Sequence, residues 1–288
     1  MEVKTIGVVG AGTMGHGITQ VALQAGFQVL LEDVGKDILE RAQGQITAGL
    51  AKAVEKGKLT DAQKAEMLKS LTLTTALADF AAADFVIEAV IEDFSMKKRI
   101  FEELDRACRP EVILATNTSS LSITKIASTT STPSRVIGMH FFNPVAFMRL
   151  VEIIPGFATE EKTVAATHQL AERLGKIPVE ATDYPGFLAN RILLPMINEA
   201  VYALMGGVGT AEAIDNVMKL GANHPMGPLA LADLIGLDVC LAVMRTLHEG
   251  FGESKYRPCP LLVRMVDAGF LGQKTGRGFY TYDQTRKG

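Results

Sequence analysis

The sequence predicts a doubly wound α/β domain with a helical insertion, followed by an all-α domain. Three observations lead there. The first thirty-three residues read as strand, glycine-rich turn, helix and second strand; strand and helix patterns then alternate as far as Val179; and beyond Asp183-Tyr184-Pro185-Gly186 the strand patterns stop. Residues 1–183 and 184–288 are therefore expected to be separate domains.

Lys4 to Val9 is a short apolar strand, and Gly10-Ala11-Gly12-Thr13-Met14-Gly15 follows it at once. A helical pattern runs from there to Gly26, and Phe27 to Leu31 forms a second strand ending in Glu32-Asp33. Gly10 allows the tight turn, Gly12 lets a pyrophosphate approach the backbone, and Gly15 lets the helix pack on the sheet. Phosphates would sit at the helix N-terminus, and Asp33, 23 residues after Gly10, would accept hydrogen bonds from an adenosine ribose. The first domain is thus Rossmann-like and its expected cofactor is NAD, because Asp33 would repel the 2′-phosphate of NADP.

Helices are expected over about Lys36–Gly57 and from Thr60-Asp61 to about Ser70, a pair longer than a plain crossover needs and so an insertion projecting from the domain. Lys52, Lys56 and Lys58 lie at its bend, and spacing alone makes them a solvated face. Strands follow at Leu71–Thr74 and Asp84–Val90, a helix at Phe94–Ala107, a strand at Val112–Thr116, a short helix near Ile123–Ala127, and strands at Arg135–Met139 and Leu150–Ile154. Helix Glu160–Leu174 and strand Lys176–Val179 complete a mostly parallel sheet. In the second domain, helices are expected at Phe187–Met205 with Pro195 as a kink, Glu212–Leu220, Leu229–His248 and Leu261–Ala268, with a last strand at Gly278–Tyr282. The first of these helices is apolar nearly all round and must be covered on every face, which predicts a homodimer through this domain.

A net charge of -3, with charged residues at 21%, gives no basic stripe for nucleic acid. Cys108, Cys240 and Cys259 are too few and too scattered for a disulfide framework, and the first strand begins too near Met1 for a leader peptide; both favour the cytoplasm. The spacing offers no metal site. The apolar run Leu229–Met244 is interrupted by Asp233 and Asp238, so no membrane span is expected.

Ligands of open α/β sheets bind beyond the carboxyl ends of the strands. The polar residues there are Glu92 with Lys97, Asn117 with Ser119, and His140 with Asn143. Hydride chemistry on an alcohol needs a group that takes or gives its proton, and histidine suits that task with a carboxylate on its second nitrogen. His140 and Glu152 are twelve residues apart, and a turn around Asn143-Pro144-Val145 could bring them face to face. Alone, His140 inside Met139-His140-Phe141-Phe142 reads more readily as a hydrogen-bonded core residue than as a catalytic one. Glu152 on the apolar strand Leu150-Val151-Glu152-Ile153-Ile154 is more telling, because a carboxylate buried there requires a partner.

Asn117-Thr118-Ser119-Ser120-Leu121, Gly138-Met139-His140-Phe141-Phe142-Asn143-Pro144, the Glu152 strand, Asp183-Tyr184-Pro185-Gly186-Phe187-Leu188-Ala189-Asn190-Arg191 and Gly272 to Tyr280 together resemble the L-3-hydroxyacyl-CoA dehydrogenase family. The resemblance covers essentially the whole chain and is strongest to the short bacterial 3-hydroxybutyryl-CoA enzymes. It implies reversible NAD-linked oxidation of an (S)-3-hydroxyacyl-CoA to the 3-ketoacyl-CoA. It implies that His140 is the acid/base, Glu152 its orienting partner, and Ser119 and Asn190 the groups that hold the substrate oxygens in an interdomain cleft. It further implies that Gly10, Gly12, Thr13, Met14, Gly15, Asp33, Glu92, Lys97 and Asn117 contact the cofactor, and that Asn143, Lys56 and, more weakly, Lys52 contact the acyl-CoA. Gly49 stands where an animal relative has a CoA-contacting serine. Hydroxyisobutyrate and 6-phosphogluconate type dehydrogenases share the opening motif but use a catalytic lysine in place of the His140–Glu152 pair. A lens crystallin related to the family offers a structural role instead, which the intact residue set disfavours.

Overall fold

In the computed structural model, which describes residues 3–283, the chain divides between Tyr184 and Pro185 into two units. The first is a doubly wound α/β unit. Its opening is β1 (Thr5–Val9), α1 (Thr13–Gln24) and β2 (Gln28–Glu32), then α2 (Lys36–Glu55), α3 (Asp61–Lys69) and β3 (Leu71–Thr74). β4 (Phe85–Glu88), α4 (Phe94–Ala107), β5 (Ile113–Thr116), α5 (Ile123–Ala127), β6 (Val136–Phe141), β7 (Leu150–Pro155), α6 (Glu161–Arg173) and β8 (Ile177–Glu180) complete it. The strands form one sheet in the order β3-β2-β1-β4-β5-β6-β7-β8. All neighbours are parallel except β6 and β7, so the last two strands run against the first six.

Strand side chains alternate between faces, and both faces of this sheet are covered. Ile6, Val8, Val29 and Leu31 pack on one side with Ile18 and Ala22 of α1, while Val9, Val86 and Leu114 pack on the other with Phe101 and Leu104 of α4. The insertion does not simply project. Leu39, Ala42, Ile46 and Leu50 of α2 follow helical spacing and are buried in the first of these clusters, whereas α3 contributes no fully buried residue. Thr60 starts α3 with a reciprocal capping box, its hydroxyl accepting from the Gln63 amide and the Gln63 side chain accepting from the Thr60 amide.

The second unit is helical among its described residues: α7 (Ala189–Met205), α8 (Ala211–Gly221), α9 (Pro228–Ile235), α10 (Leu237–Phe251) and α11 (Pro260–Asp267). Its core gathers Leu194, Ile197 and Val201 with Leu229, Leu241, Met244, Leu247 and Leu262. α7 runs through Pro195 without interruption. Two expectations are corrected here. The helix expected over Leu229–His248 is two helices, because Gly236 takes φ +105°, a conformation that ends α9 and that L side chains rarely adopt. The strand expected at Gly278–Tyr282 is not formed, leaving only the isolated bridges Gly272–Arg277 and Arg277–Thr281. The reason is Asp233, whose carboxylate accepts from the Phe279 and Tyr280 amides at 2.9 Å each and so takes the donors a ladder would use. Asp215 works alongside it, accepting from the Leu229 and Ala230 amides at the start of α9 and from the Tyr280 hydroxyl. Asp233 and Asp215 thus fasten the Gly272–Tyr280 motif to its own unit.

Candidate active site

The antiparallel step in the sheet creates the central feature. β6 ends where β7 begins, and the register sets His140 directly opposite Glu152. Cross-strand partners share one face of a sheet and lie within side-chain reach. His140 Nδ1 is 2.7 Å from Glu152 Oε2, and both residues are buried, at 6% and 1% exposure. The carboxylate can only accept, so Nδ1 carries the proton of this hydrogen bond. The Phe142 ring lies 4.6 Å from the imidazole, centroid to centroid. β6 runs through His140 to Phe141, two residues beyond the expected strand end.

Beside this pair, the loop after β5 is organised by Glu92. One oxygen, Oε1, accepts from the Ser119 and Ser120 amides at 2.8 and 2.9 Å and from the hydroxyls of Thr118, Ser119 and Ser120 at 2.7, 3.1 and 2.8 Å. Its other oxygen is 3.5 Å from Lys97 Nζ. Burial opposes ionisation of Glu92, but the Lys97 charge and the hydrogen bonds from Thr118, Ser120 and Ser119 outweigh it and hold the carboxyl below its usual range. Lys97 itself is wholly buried, 2.7 Å from Glu88 Oε1. Glu88 also accepts from the Val90 amide and the Thr116 hydroxyl, each at 2.7 Å. Asn117 bridges to the histidine strand, its Oδ1 accepting from the Phe141 amide at 2.8 Å.

At the other end of the motif, the glycine turn is shaped for a dinucleotide. A Cβ at Gly15 would sit 1.7 Å from the Gly10 carbonyl oxygen, so the helix can begin this close to the turn only with glycine there. A Cβ at Gly12 would meet nothing within 4 Å, which leaves open space in front of the α1 N-terminus. Gly12 is the N-cap of that helix and provides no side-chain cap, so the first-turn amides are available to an anion. Asp33 Oδ2 accepts from the Ala11 amide at 2.8 Å and pins the turn to the end of β2. This arrangement fits the pyrophosphate and ribose of NAD.

The family description "3-hydroxyacyl-CoA dehydrogenase, NAD binding domain" matches residues 5–184, and "3-hydroxyacyl-CoA dehydrogenase, C-terminal domain" matches residues 186–282. The chain belongs to the 3-hydroxyacyl-CoA dehydrogenase family. It is 54% identical over 284 residues to a Bacillus subtilis protein named "Probable 3-hydroxybutyryl-CoA dehydrogenase", covering 99% of each chain. The crystal structure of an (S)-3-hydroxybutyryl-CoA dehydrogenase from Ralstonia eutropha is similar at 48% identity and a TM-score of 0.96, covering 98% of this chain and 100% of that one. A 3-hydroxyadipyl-CoA dehydrogenase of Escherichia coli is 43% identical over the whole chain, which spans 61% of that longer protein. As a member of this family the chain is an NAD-dependent 3-hydroxyacyl-CoA dehydrogenase, acting reversibly on a CoA thioester.

For a 3-hydroxyacyl-CoA dehydrogenase, the placing of the remaining candidates matters. Asn143 is exposed on the turn between β6 and β7, and Phe147 of the same turn is 72% exposed. Lys56, the C-cap of α2, has its Nζ 5.9 Å from the Phe147 ring centroid, whereas Lys52 lies one turn earlier and is exposed. Thr13 and Met14 open α1. Asn190 lies in the first turn of α7, in the second unit. A Cβ at Gly49 would fall 2.1 Å from Gln20 Oε1, so a serine there requires the glutamine side chain to move.

Sequence reasoning missed Glu88, Thr116 and Asp183. The signal for Glu88 was the one used for Glu152, a carboxylate on an apolar strand. Asp183 accepts from the Ile123 and Thr124 amides at 2.9 and 2.8 Å and tethers the end of the first unit to the start of α5. Among the described residues no helix is long and apolar enough to cross a membrane.

Glu32, next to the ribose-binding candidate, is buried at 6% exposure. Burial, with the charges of Asp33 and Glu103 adding, pushes its carboxyl up to about 7. The folded protein therefore holds a proton that the unfolded chain releases near 4.5, and stability falls as pH rises between these values. Glu32→Gln is expected to stabilise the fold by about 2 kcal/mol at about pH 8, with the advantage vanishing at about pH 4. Urea unfolding at the two pH values measures this, and equal stability of both proteins at the higher pH would contradict it.

Proposed function

We propose that this dehydrogenase interconverts short-chain (S)-3-hydroxyacyl-CoA, with 3-hydroxybutyryl-CoA as its substrate, and 3-ketoacyl-CoA, using His140 as the acid/base. The observation that carries the reading is the cross-strand His140–Glu152 hydrogen bond at 2.7 Å. NAD, when bound, supplies the hydride acceptor for oxidation and the donor for reduction. His140 takes the hydroxyl proton at Nε2 as the alcohol is oxidised and returns it in reduction. Glu152 keeps the ring in the Nδ1–H form and stabilises the imidazolium that results. Burial of the pair strengthens that attraction.

Ser119 and Asn190 hold the substrate oxygens in this scheme, with Asn143 contributing from the turn. Gly10, Gly12, Thr13, Met14 and Gly15 receive the pyrophosphate, and Asp33 receives the adenosine ribose. Glu92 and Asn117 border the nicotinamide end, and Lys97 acts through the charge it lends to Glu92. The names of the Bacillus and Ralstonia relatives support the four-carbon acyl group.

Lys56 binds the nucleotide end of CoA, with Lys52 beside it. The exposed Phe147 next to Lys56 supports this, since an aromatic face and an ammonium together suit an adenine nucleotide. Lys56→Ala is expected to raise the KM for acetoacetyl-CoA by about tenfold with turnover changed much less, as loss of uniform binding requires. An unchanged KM in steady-state kinetics would return Lys56 to a solvated role.

The first unit is the NAD-binding domain, and the second is the substrate and dimerisation domain. Ile192, Met205, Val208, Val217 and Leu220 of the second unit are 46% to 84% exposed in the single chain, which supports a homodimer through this unit. A one-chain mass in sedimentation would remove that part. Three buried free thiols, Cys108, Cys240 and Cys259, support a cytoplasmic location, which cell fractionation tests.

The function is tested by following NADH consumption with acetoacetyl-CoA, beside NADPH and a free 3-keto acid. Rapid reaction of NADH with the thioester alone is the expected result. Preference for the free acid, or for a long-chain thioester over the four-carbon one, would overturn the substrate assignment.

A further inference from the structure

Lys176, the residue before β8, is buried at 8% exposure. Among the described residues, no carboxylate lies within ion-pair distance of it. Its ammonium instead donates to the carbonyl oxygens of Val145 and, at 2.9 Å, Met148. Both acceptors belong to the turn that joins the His140 strand to the Glu152 strand. Burying an ammonium against carbonyl dipoles alone is costly, and an apolar side chain of similar length would fill the same space without that cost. What the apolar chain could not do is hold two carbonyls of one turn at a fixed separation.

The same turn is also held by α1. Val145 is 3% exposed, and a Cβ added at Gly17 of α1 would lie 2.9 Å from its Cγ2. Gly17 therefore leaves a notch on the dinucleotide-binding helix into which Val145 fits. Within the turn, the Phe147 and Met148 amides both donate to the Pro144 carbonyl at 3.0 Å, and the Ile177 amide donates to Arg149 at 2.8 Å. The buried residue of the turn, Val145, is thus held through its carbonyl by Lys176 and through its side chain by α1, while Asn143 and Phe147 stay exposed.

We propose that Lys176 is a positioning residue for the dehydrogenase reaction: with the Gly17 notch it fixes the Asn143–Arg149 turn, and so sets the acyl-CoA against His140. A misplacement of about 1 Å at a reacting centre can cost about 10²-fold in rate, so a loose turn would be felt in catalysis. The inference rests on the assignment of His140 as acid/base.

The test compares Lys176→Met and Lys176→Arg with the native enzyme, well below the unfolding temperature, with His140→Gln run in parallel. Lys176→Met is expected to lower kcat/KM for acetoacetyl-CoA by roughly 30- to 100-fold with a raised KM, while NADH affinity by fluorescence titration stays within about two-fold. Lys176→Arg, which keeps a donor, is expected to recover most of the loss. A Lys176→Met enzyme with native thioester kinetics would overturn the proposal. So would a parallel loss of NADH affinity, or an arginine variant no better than methionine. If Lys176→Met does not fold, Gly17→Ala tests the turn from its other side: a thioester KM that rises more than the NADH dissociation constant supports the proposal, and unchanged thioester kinetics overturn it. An active His140→Gln enzyme would sink the acid/base assignment itself, whereas an inactive one beside a native-like Lys176→Met would sink this inference alone.

Discussion

His140→Gln is expected to lower turnover by roughly 10²–10⁴-fold while NADH affinity survives. Glutamine can keep a hydrogen bond to Glu152 but cannot pass a proton at neutral pH. The loss should therefore fall on the chemical step, with both kcat and kcat/KM reduced and the fluorescence titration of NADH unchanged. Because His140 and Glu152 meet through strand register, a glutamine leaves the β6–β7 pairing in place. An equal loss of NADH affinity would mean that the histidine holds up the cofactor cleft. Native turnover in the variant would remove His140 from the reaction altogether.

The second large effect is expected from Lys97→Met. Lys97 and Glu88 are both fully buried and 2.7 Å apart, and Lys97 is also the charge that faces Glu92. Removing one member of a buried pair leaves the other charge uncompensated, at a cost of about 3–5 kcal/mol. Val90 and Thr116 still donate to Glu88, which places the expected loss near the lower end of that range. Urea unfolding reads it directly. A double variant with Glu88→Gln should recover part of the loss. Thioester turnover should fall as well, since Glu92 then loses the neighbouring charge that, with its hydrogen bonds from the Thr118–Ser120 loop, holds its carboxyl below the usual range. A Lys97→Met protein as stable as the native one would show that the pair contributes no net coupling.

The fold class was legible because its signals are local. A glycine turn between an apolar strand and a helix, and an alternation of strands and helices, need no knowledge of distant partners. The first-unit strands came out within a few residues of their expected places for that reason. The misreadings arose where a distant group took over a local pattern. The Gly278–Tyr282 segment has β-favouring residues, yet Asp233, 46 and 47 positions from Phe279 and Tyr280, captures their amides. Leu229–His248 keeps helical spacing across Gly236, but that residue's positive φ divides it. The insertion looked like a projection because its length exceeds a crossover, whereas the stripe from Leu39 to Leu50 is core.

By itself, then, the sequence determined the doubly wound unit, the helical second unit, the dinucleotide turn and the candidate pairing of one histidine with one carboxylate. Residue type and short-range spacing carry all of these. Only the tertiary structure decided that β6 and β7 pair antiparallel with His140 opposite Glu152, that one oxygen of Glu92 gathers five donors from the Thr118–Ser120 loop, and that Lys176 and Gly17 close on the turn between the His140 and Glu152 strands. These depend on strand order and register, which are set when the whole sheet buries its two faces at once. Local sequence carries no record of which neighbour a buried polar group will meet.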